Sequence, residues 1–538
     1  DAGIDRPIDE PLACRVEPTD QHAARPAVSF GADDLRGGEA PPFAGPFGKG
    51  RRGPGVGGFV SPAVGEEDKP VLREPAAAGF LYPGWRRRAT GLPRRPVASP
   101  VVEIVPETVE SPRGVTPSEL KSLTAASPRP VELAATRVMQ RCEELALCTE
   151  EPGRVTRRYL CPAIREVHAL IERWMTDAGM TVRVDAAGNI VGRRPGPPGA
   201  KTLLVGSHLD SVPNGGKYDG VLGVVLAIEA VAHLADALLP FHVDVIGFSE
   251  EEGVRFAQPY LGSAAVAGVF DPAWLERRDG AGATLRQAIT TYGLDPAELP
   301  AAAYPIDAVL GYLEPHLEQG PVLEAAGRSV GVVTGIAGQS RLRVVFRGKA
   351  DHAGTTPMDL RHDALAAAAE LVLETNRLAR ATPELRATVG FIRAEPNASN
   401  VVPARVELSL DVRHLDDEVR EAAVDALIAC GEQIAHRGLV RFEVVDRHGH
   451  AATRVDPRLC ELLRQACCEC GYDPPALPSG AGHDAVVLAK RFPTAMLFLR
   501  HPGGVSHHPD ERADVADVAA AILVLRRFIL NLAAAPLA

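Results

Sequence analysis

At 538 residues the chain is too long for one ordinary core, so more than one domain is expected. A composition that is 46% hydrophobic and 24% charged is globular, and no run approaches the roughly 18 apolar residues of a membrane span. A net charge of −11 argues against a general nucleic-acid binder, which needs a basic face to displace counterions.

Residues 1–115 are rich in Gly, Pro and Arg, as in Gly45-Pro46-Phe47-Gly48-Lys49-Gly50-Arg51-Arg52-Gly53-Pro54-Gly55, with no sustained period. Such a segment buries too little apolar surface to offset chain entropy and is expected to be disordered or linker-like. Its first ten residues lack the charged-then-apolar pattern of a secretory signal. From about residue 133 periodicity begins. Residues 138–146 and 162–178 predict amphipathic helices, the second with Ile164, Val167, Leu170, Ile171 and Trp174 on one stripe. Short strands are expected at 181–185 and 189–192, then strands at 201–206 and 242–248 around an apolar helix at 220–237. Strand–helix–strand alternation implies a parallel or mixed sheet covered by helices.

Near Arg328 the pattern changes. Residues 330–346 are strand-rich, 363–378 helical, 385–392 and 405–413 strands, 417–436 helical and 440–445 a strand. That order is the ferredoxin-like arrangement. After His450 strand–helix alternation resumes, with a helix at 457–470, a strand at 495–499 and a last helix at 515–532. The expected fold is a larger α/β domain in two parts, 116–327 and 450–538, interrupted by a small α/β sandwich at 328–449. Four of the nine cysteines, Cys460, Cys467, Cys468 and Cys470, cluster, but no second CxxC pair completes a tetrahedral thiolate site. They read as free thiols on a packed helix in a reducing cytoplasm.

The chemistry concentrates at strand ends. Glu250-Glu251-Glu252 follows the 242–248 strand, and three adjacent carboxylates raise one another's pKa unless cations offset them. Ser207-His208-Leu209-Asp210 follows another strand, where an extended His-x-Asp places both side chains on one side. Asp219 precedes Gly220, Glu314-Pro315-His316-Leu317-Glu318-Gln319-Gly320 offers an imidazole, and Ser506-His507-His508-Pro509-Asp510-Glu511 offers two. Each is weak alone: a lone His is more often a surface or core residue and Asp before Gly a turn residue. Jointly, His, Asp, Glu, His and His make a donor set for two divalent ions, with Asp as bridge, suited to Zn²⁺ or Mn²⁺.

The segments 206–220, 250–256, 314–321, 348–358, 479–485 and 506–511 resemble, in order, the co-catalytic-metal amidohydrolases of the aminoacylase and carboxypeptidase G superfamily. That branch includes allantoate amidohydrolases, N-carbamoyl-L-amino acid hydrolases and β-ureidopropionases. The resemblance runs from about residue 130 to the C-terminus. It implies that His208, Asp219, Glu252, His316 and His507 ligate two metals, Asp219 bridging, and that Glu251 is the general base. It implies further that Asp210 orients His208 or tunes the site, and that Gln319 holds substrate. His507, following Gly-Val-Ser, is preferred over His508 as ligand. The inserted domain would dimerise the chain and send His352 into the partner's site to stabilise an oxyanion. Asn400 and Arg413 would grip the substrate carboxylate, and Gly482 and His483 line the pocket.

Two segments, 150–163 and Asp185-Ala186-Ala187-Gly188-Asn189, look most like allantoate amidohydrolases. The expected reaction is hydrolysis of allantoate to ureidoglycine, carbon dioxide and ammonia, a step of purine-nitrogen recovery. The alternatives are a carbamoyl amino acid hydrolase or β-ureidopropionase, a peptidase, or a non-catalytic metal-dependent scaffold. Expected partners are a small ureido carboxylate and a second copy of the chain, with no nucleic acid or membrane.

Overall fold

The computed structural model describes residues 128–234 and 237–535. The expectation for residues 1–115 lies outside the described residues. Helices α1 (Pro128–Leu147) and α2 (Pro162–Asp177) precede strands β1 (Thr181–Val184), β2 (Ile190–Arg194) and β3 (Thr202–His208). Helix α1 starts earlier than the period alone predicted. Prolines at its first turn lack only N–H groups that a helix start leaves unbonded. Helix α3 (Val221–Ala232) links β3 to β4 (His242–Phe248). It is apolar almost all round and accordingly buried, lying against the sheet, α1 and the last helix, α11. Its one charge, Glu229, is met by Arg137 and Arg141 of α1.

Beyond β4 come α4 (Leu261–Val266), α5 (Leu285–Tyr292), β5 (Val309–Leu317), α6 (Val322–Ala326) and β6 (Val330–Ile336). After a long excursion the chain returns through β13 (Thr453–Arg454), α9 (Pro457–Glu469), β14 (Ala476–Ser479), α10 (Ala485–Leu488), β15 (Thr494–Leu499) and α11 (Val515–Ala534). These strands form one nine-stranded mixed sheet in the order β1-β2-β4-β3-β5-β15-β6-β13, with β14 also on β6. Strands β4, β3, β5 and β15 are mutually parallel where they pair. Both faces are covered, and the period of two splits each central strand between two cores. Leu203 and Val205 of β3, with Leu497 and Leu499 of β15, pack among α1, α3, α9 and α11. Leu204, Met496 and Phe498 pack on the other face with α4 and α10.

The excursion runs β7 (Gly338–Arg347), β8 (Asp351–His352), α7 (Ala364–Ala381), β9 (Arg386–Glu395), β10 (Val401–Val402), β11 (Arg405–His414), α8 (Asp417–Arg437) and β12 (Arg441–His450). Strands β12-β7-β11-β9 form an antiparallel sheet, and β8 and β10 a separate ribbon. Apolar residues of β7 and β11 pack under α7 and α8. The strand-rich run 330–346 therefore divides between two sheets: β6 pairs with β15 in the large one, and β7 begins the small one. With β6 there, we place the start of the insertion after Ile336 rather than at 328. The α/β class and the strand–helix–strand–strand–helix–strand order are as the sequence led us to expect. No helix among the described residues is long and apolar enough to cross a membrane.

Candidate metal centre

Parallel strands present their carboxyl ends along one sheet edge, where loops diverge and ligands bind. That edge gathers His208 at the end of β3, Glu250 to Glu252 after β4, His316 near the end of β5 and His507 after β15. Asp219 joins them from the loop before α3 and is the hub. Its Oδ1 lies 3.8 Å from His208 Nε2 and 3.2 Å from His316 Nε2, and its Oδ2 lies 3.3 Å from His507 Nε2. Glu252 Oε1 stands 3.5 Å from His507 Nε2. The two oxygens of one carboxylate thus face two different donor sets, and each set is compact enough to hold one ion. Glu251 groups with His208 and Glu252 in a third such set.

The imidazoles are oriented from behind. His208 Nδ1 faces the Asp210 carbonyl at 3.1 Å, and His316 Nδ1 faces the Leu317 carbonyl at 2.9 Å. A proton on each Nδ1 directs both Nε2 lone pairs inward, where they sit 3.4 Å apart. Two lone pairs so placed repel, whereas two nitrogens on one tetrahedral zinc are about 3.3 Å apart. The donor set therefore fits a divalent cation. Close approach requires Gly220: a Cβ there would fall 2.5 Å from the His208 ring, and its φ is +67°.

Asp210 works on the neighbouring strand end, accepting the N–H groups of Glu251 and Glu252 at 3.0 Å each. Gln319, at a φ of +56°, donates from Nε2 to Asp219 Oδ1 at 3.2 Å and to Ser506 Oγ at 3.0 Å. His483 packs edge-on against His316 at 4.5 Å and meets Ser479 Oγ through Nε2 at 2.9 Å. Burial keeps its ring neutral. Gly482 leaves room for Tyr260, whose hydroxyl a Cβ would strike.

The charges show what the site lacks. Burial, then the charge of Asp210, lifts Glu250 to about 8. Burial first, then repulsion from Asp219 and Asp210 against the pull of His208, lifts Glu252 to about 7. Glu251 is also raised well above the usual carboxylate range by burial and by Glu252, Asp484 and Asp210, against the pull of His208. His507 rises to about 9 through its hydrogen bond to Asp219. Asp219 by contrast is pulled down: burial opposes this, but the hydrogen bonds to His208, His316 and His507 win. His208 is raised as well, hydrogen bonds to Asp210 and Asp219 outweighing its burial, so the cluster holds protons that divalent cations would displace.

The inserted domain's residues are placed differently. His352 and Asn400 come together through the β8–β10 ribbon, Asn400 O accepting the Ala353 N–H at 2.9 Å. Neither side chain bonds the donor cluster within one chain, among the described residues. Arg413 sends two nitrogens to Asp411, at 2.7 and 2.9 Å, and Nη1 to the Gly480 carbonyl at 2.6 Å, next to the pocket glycine.

The model of peptidase family M20/M25/M40 matches residues 204–531. The chain belongs to that family. It is 42% identical over 401 residues to an N-carbamoyl-L-amino acid amidohydrolase of Geobacillus stearothermophilus, covering 74% of this chain and 98% of that one. It is 40% identical over 436 residues to a probable allantoate deiminase of Oryza sativa subsp. japonica, covering 74% and 88%. A hydantoinase/carbamoylase family amidase from Burkholderia multivorans superposes with a TM-score of 0.71 at 34% identity, covering 75% of this chain and 98% of the other. Within the family the chain is a hydrolase of carbon–nitrogen bonds other than peptide bonds, as expected from sequence.

Several supporting residues had no assigned role in the sequence. Buried Glu511 accepts the N–H groups of Tyr218 and Asp219 at 2.9 Å each, fixing the Asp219 backbone. Glu250, at a φ of +50°, accepts the N–H of Tyr159 at 3.0 Å and of Arg255 at 2.9 Å, anchoring the turn that carries the other two glutamates. Asp484 and His501 are fully buried, with unbonded side-chain atoms. Glu511 and Glu250 stand inside motifs already read as chemical; only the fold shows that they hold backbone.

Proposed function

We propose that the chain hydrolyses the ureido carbon–nitrogen bond of allantoate, giving ureidoglycine, carbon dioxide and ammonia. The observation that supports this most is the division of donors by Asp219, whose two oxygens face separate sets with Glu251 alongside. His208, Asp219, His316, Glu252 and His507 would hold two divalent ions, Mn²⁺ or Zn²⁺, which when bound polarise the carbonyl and acidify water. Glu251 takes the proton of the attacking water and delivers it to the leaving nitrogen. Burial raises its pKa well above the usual carboxylate range, which suits a group that must both accept and release a proton. Asp210 holds Glu251 and Glu252 by their backbones and His208 by its ring, and Gln319 reaches substrate beside Asp219. Arg413 and Asn400 take the substrate carboxylate, with Gly482 and His483 shaping the pocket.

Because His352 and Asn400 are exposed and away from the donors in one chain, the reading includes a homodimer in which His352 of the partner subunit stabilises the oxyanion. Eight free cysteines among the described residues favour a reducing, cytoplasmic setting. The carbamoyl amino acid reading is kept because a relative of that name is 42% identical. With Mn²⁺ present, ammonia release should be faster from allantoate than from carbamoyl amino acids at equal concentration; the reverse ranking overturns the substrate. Mixing Glu251→Gln and His352→Ala homodimers should restore activity once subunits exchange. Verified exchange without recovery refutes the shared site.

A further inference from the structure

The open face of the small sheet carries a groove of about 630 Å³ that reaches Gly480 in the pocket loop. Four arginines line it, Arg341, Arg343, Arg386 and Arg413, against two aspartates, Asp411 and Asp446. An electropositive groove on so acidic a chain is an anion site in outline. Three of the four arginines are already engaged. Arg341 and Arg413 share Asp411, and Arg343 pairs with Glu407. Asp446 faces His448 at 3.3 Å. The Arg386 side chain has no hydrogen bond or ion pair among the described residues.

Arg386 is also well placed. It is the register partner of Arg413 across β9 and β11, so the two side chains leave the sheet on the same face. Its charge is felt at Glu318, the residue before Gln319, which bonds Asp219. The Glu318 carboxylate is itself occupied by the N–H groups of Val322 at 2.7 Å and Leu323 at 2.8 Å. The guanidinium thus shares the groove with Arg413 and its charge reaches the loop that carries Gln319.

We propose that Arg386 is a specificity-determining residue that receives a second carboxylate of the substrate. The site would then accept ureido dicarboxylates, carbamoyl amino acids with an acidic side chain, alongside allantoate. This rests on the ureido-hydrolase reading above. A charge-assisted fork to a carboxylate discriminates against its neutral amide isostere by about tenfold or more.

The test compares kcat/KM for N-carbamoyl-L-glutamate and N-carbamoyl-L-glutamine, with allantoate in the same assay, on Mn²⁺-loaded full-length protein. Wild type should prefer the glutamate compound by about tenfold. Arg386→Gln should bring that ratio to about one, and Arg386→Lys, which keeps the charge, should retain most of it. An equal fall for both substrates marks Arg386 as a domain-closure contact with Glu318 and overturns the proposal. So does a wild type without the preference. Turnover of none of the three ureides overturns the ureido reading and this inference with it; turnover of allantoate without the preference overturns this inference alone.

Discussion

The two sheets keep their charges in opposite ways. At the edge of the large sheet, Asp210, Asp219, Glu250 and Glu251 are buried and their nearest partners are histidines and backbone N–H groups. On the small sheet the acids stand in or near water and most meet an arginine, as Glu443 meets Arg347 at 3.0 Å, while Asp446 meets His448. The first arrangement is incomplete as protein and is completed by an added cation; the second is complete and electrostatically shallow. Function concentrates where charge is left unbalanced, in the buried carboxylates and again at Arg386.

Substitutions can break or sharpen that contrast. Glu251→Gln should lower kcat about a thousandfold while metal content by elemental analysis stays near wild type, the range for loss of a general base. Near-normal turnover would remove Glu251 as base. Asp210→Asn should weaken metal affinity about 10- to 100-fold in competition with a chelator, because the loop carrying Glu251 and Glu252 loses a charged anchor. Gly220→Ala should destabilise the protein by about 1–3 kcal/mol in denaturant titration, as it puts a methyl against His208 at a positive φ.

Metal-free protein should lose thermal stability as pH rises from about 7 to 9. Glu250 is held at about 8, Glu252, Glu314 and Glu511 at about 7, and His507 at about 9, all above their unfolded values. The folded state binds more protons than the unfolded one across that window, so the stabilisation fades as those protons leave. His168, depressed to about 4 by burial, titrates below it and does not reverse the sign. Loading with Mn²⁺ should flatten the slope; equal slopes with and without metal would detach these acids from the ion. The smallest effect belongs to the small sheet: Glu443→Gln should change stability by about 0.5 kcal/mol or less.

The donor residues were legible because each ends a strand and carries a side chain whose chemistry survives without knowledge of neighbours. Strand β5 was not: Gly311 and Pro315 interrupt its period. The sheet accommodates Pro315 because pairing to β3 ends at Val205 and Leu313. Glu511 was readable as an acid in a motif but not as a brace, since the backbone it holds lies nearly 300 residues earlier. In the segments that look most like allantoate enzymes, two residues brace the fold. Arg157 is buried against the Leu209 and Leu145 carbonyls, and Asn189, tied to Asp185, accepts the Ser249 N–H just before the glutamates. At these two positions similarity reports how the loop is supported.

The clasp of Glu511 on the Tyr218–Asp219 backbone has a consequence for biosynthesis. A ribosome delivers β3, β4, β5 and the whole inserted sandwich before residues 507–511 leave the exit tunnel. Until then one donor set lacks its imidazole and Asp219 lacks its backstop. The donor group His208, His316 and Asp219 is therefore synthesised well before the group that includes His507. Maturation of the centre is thereby tied to completion of the polypeptide.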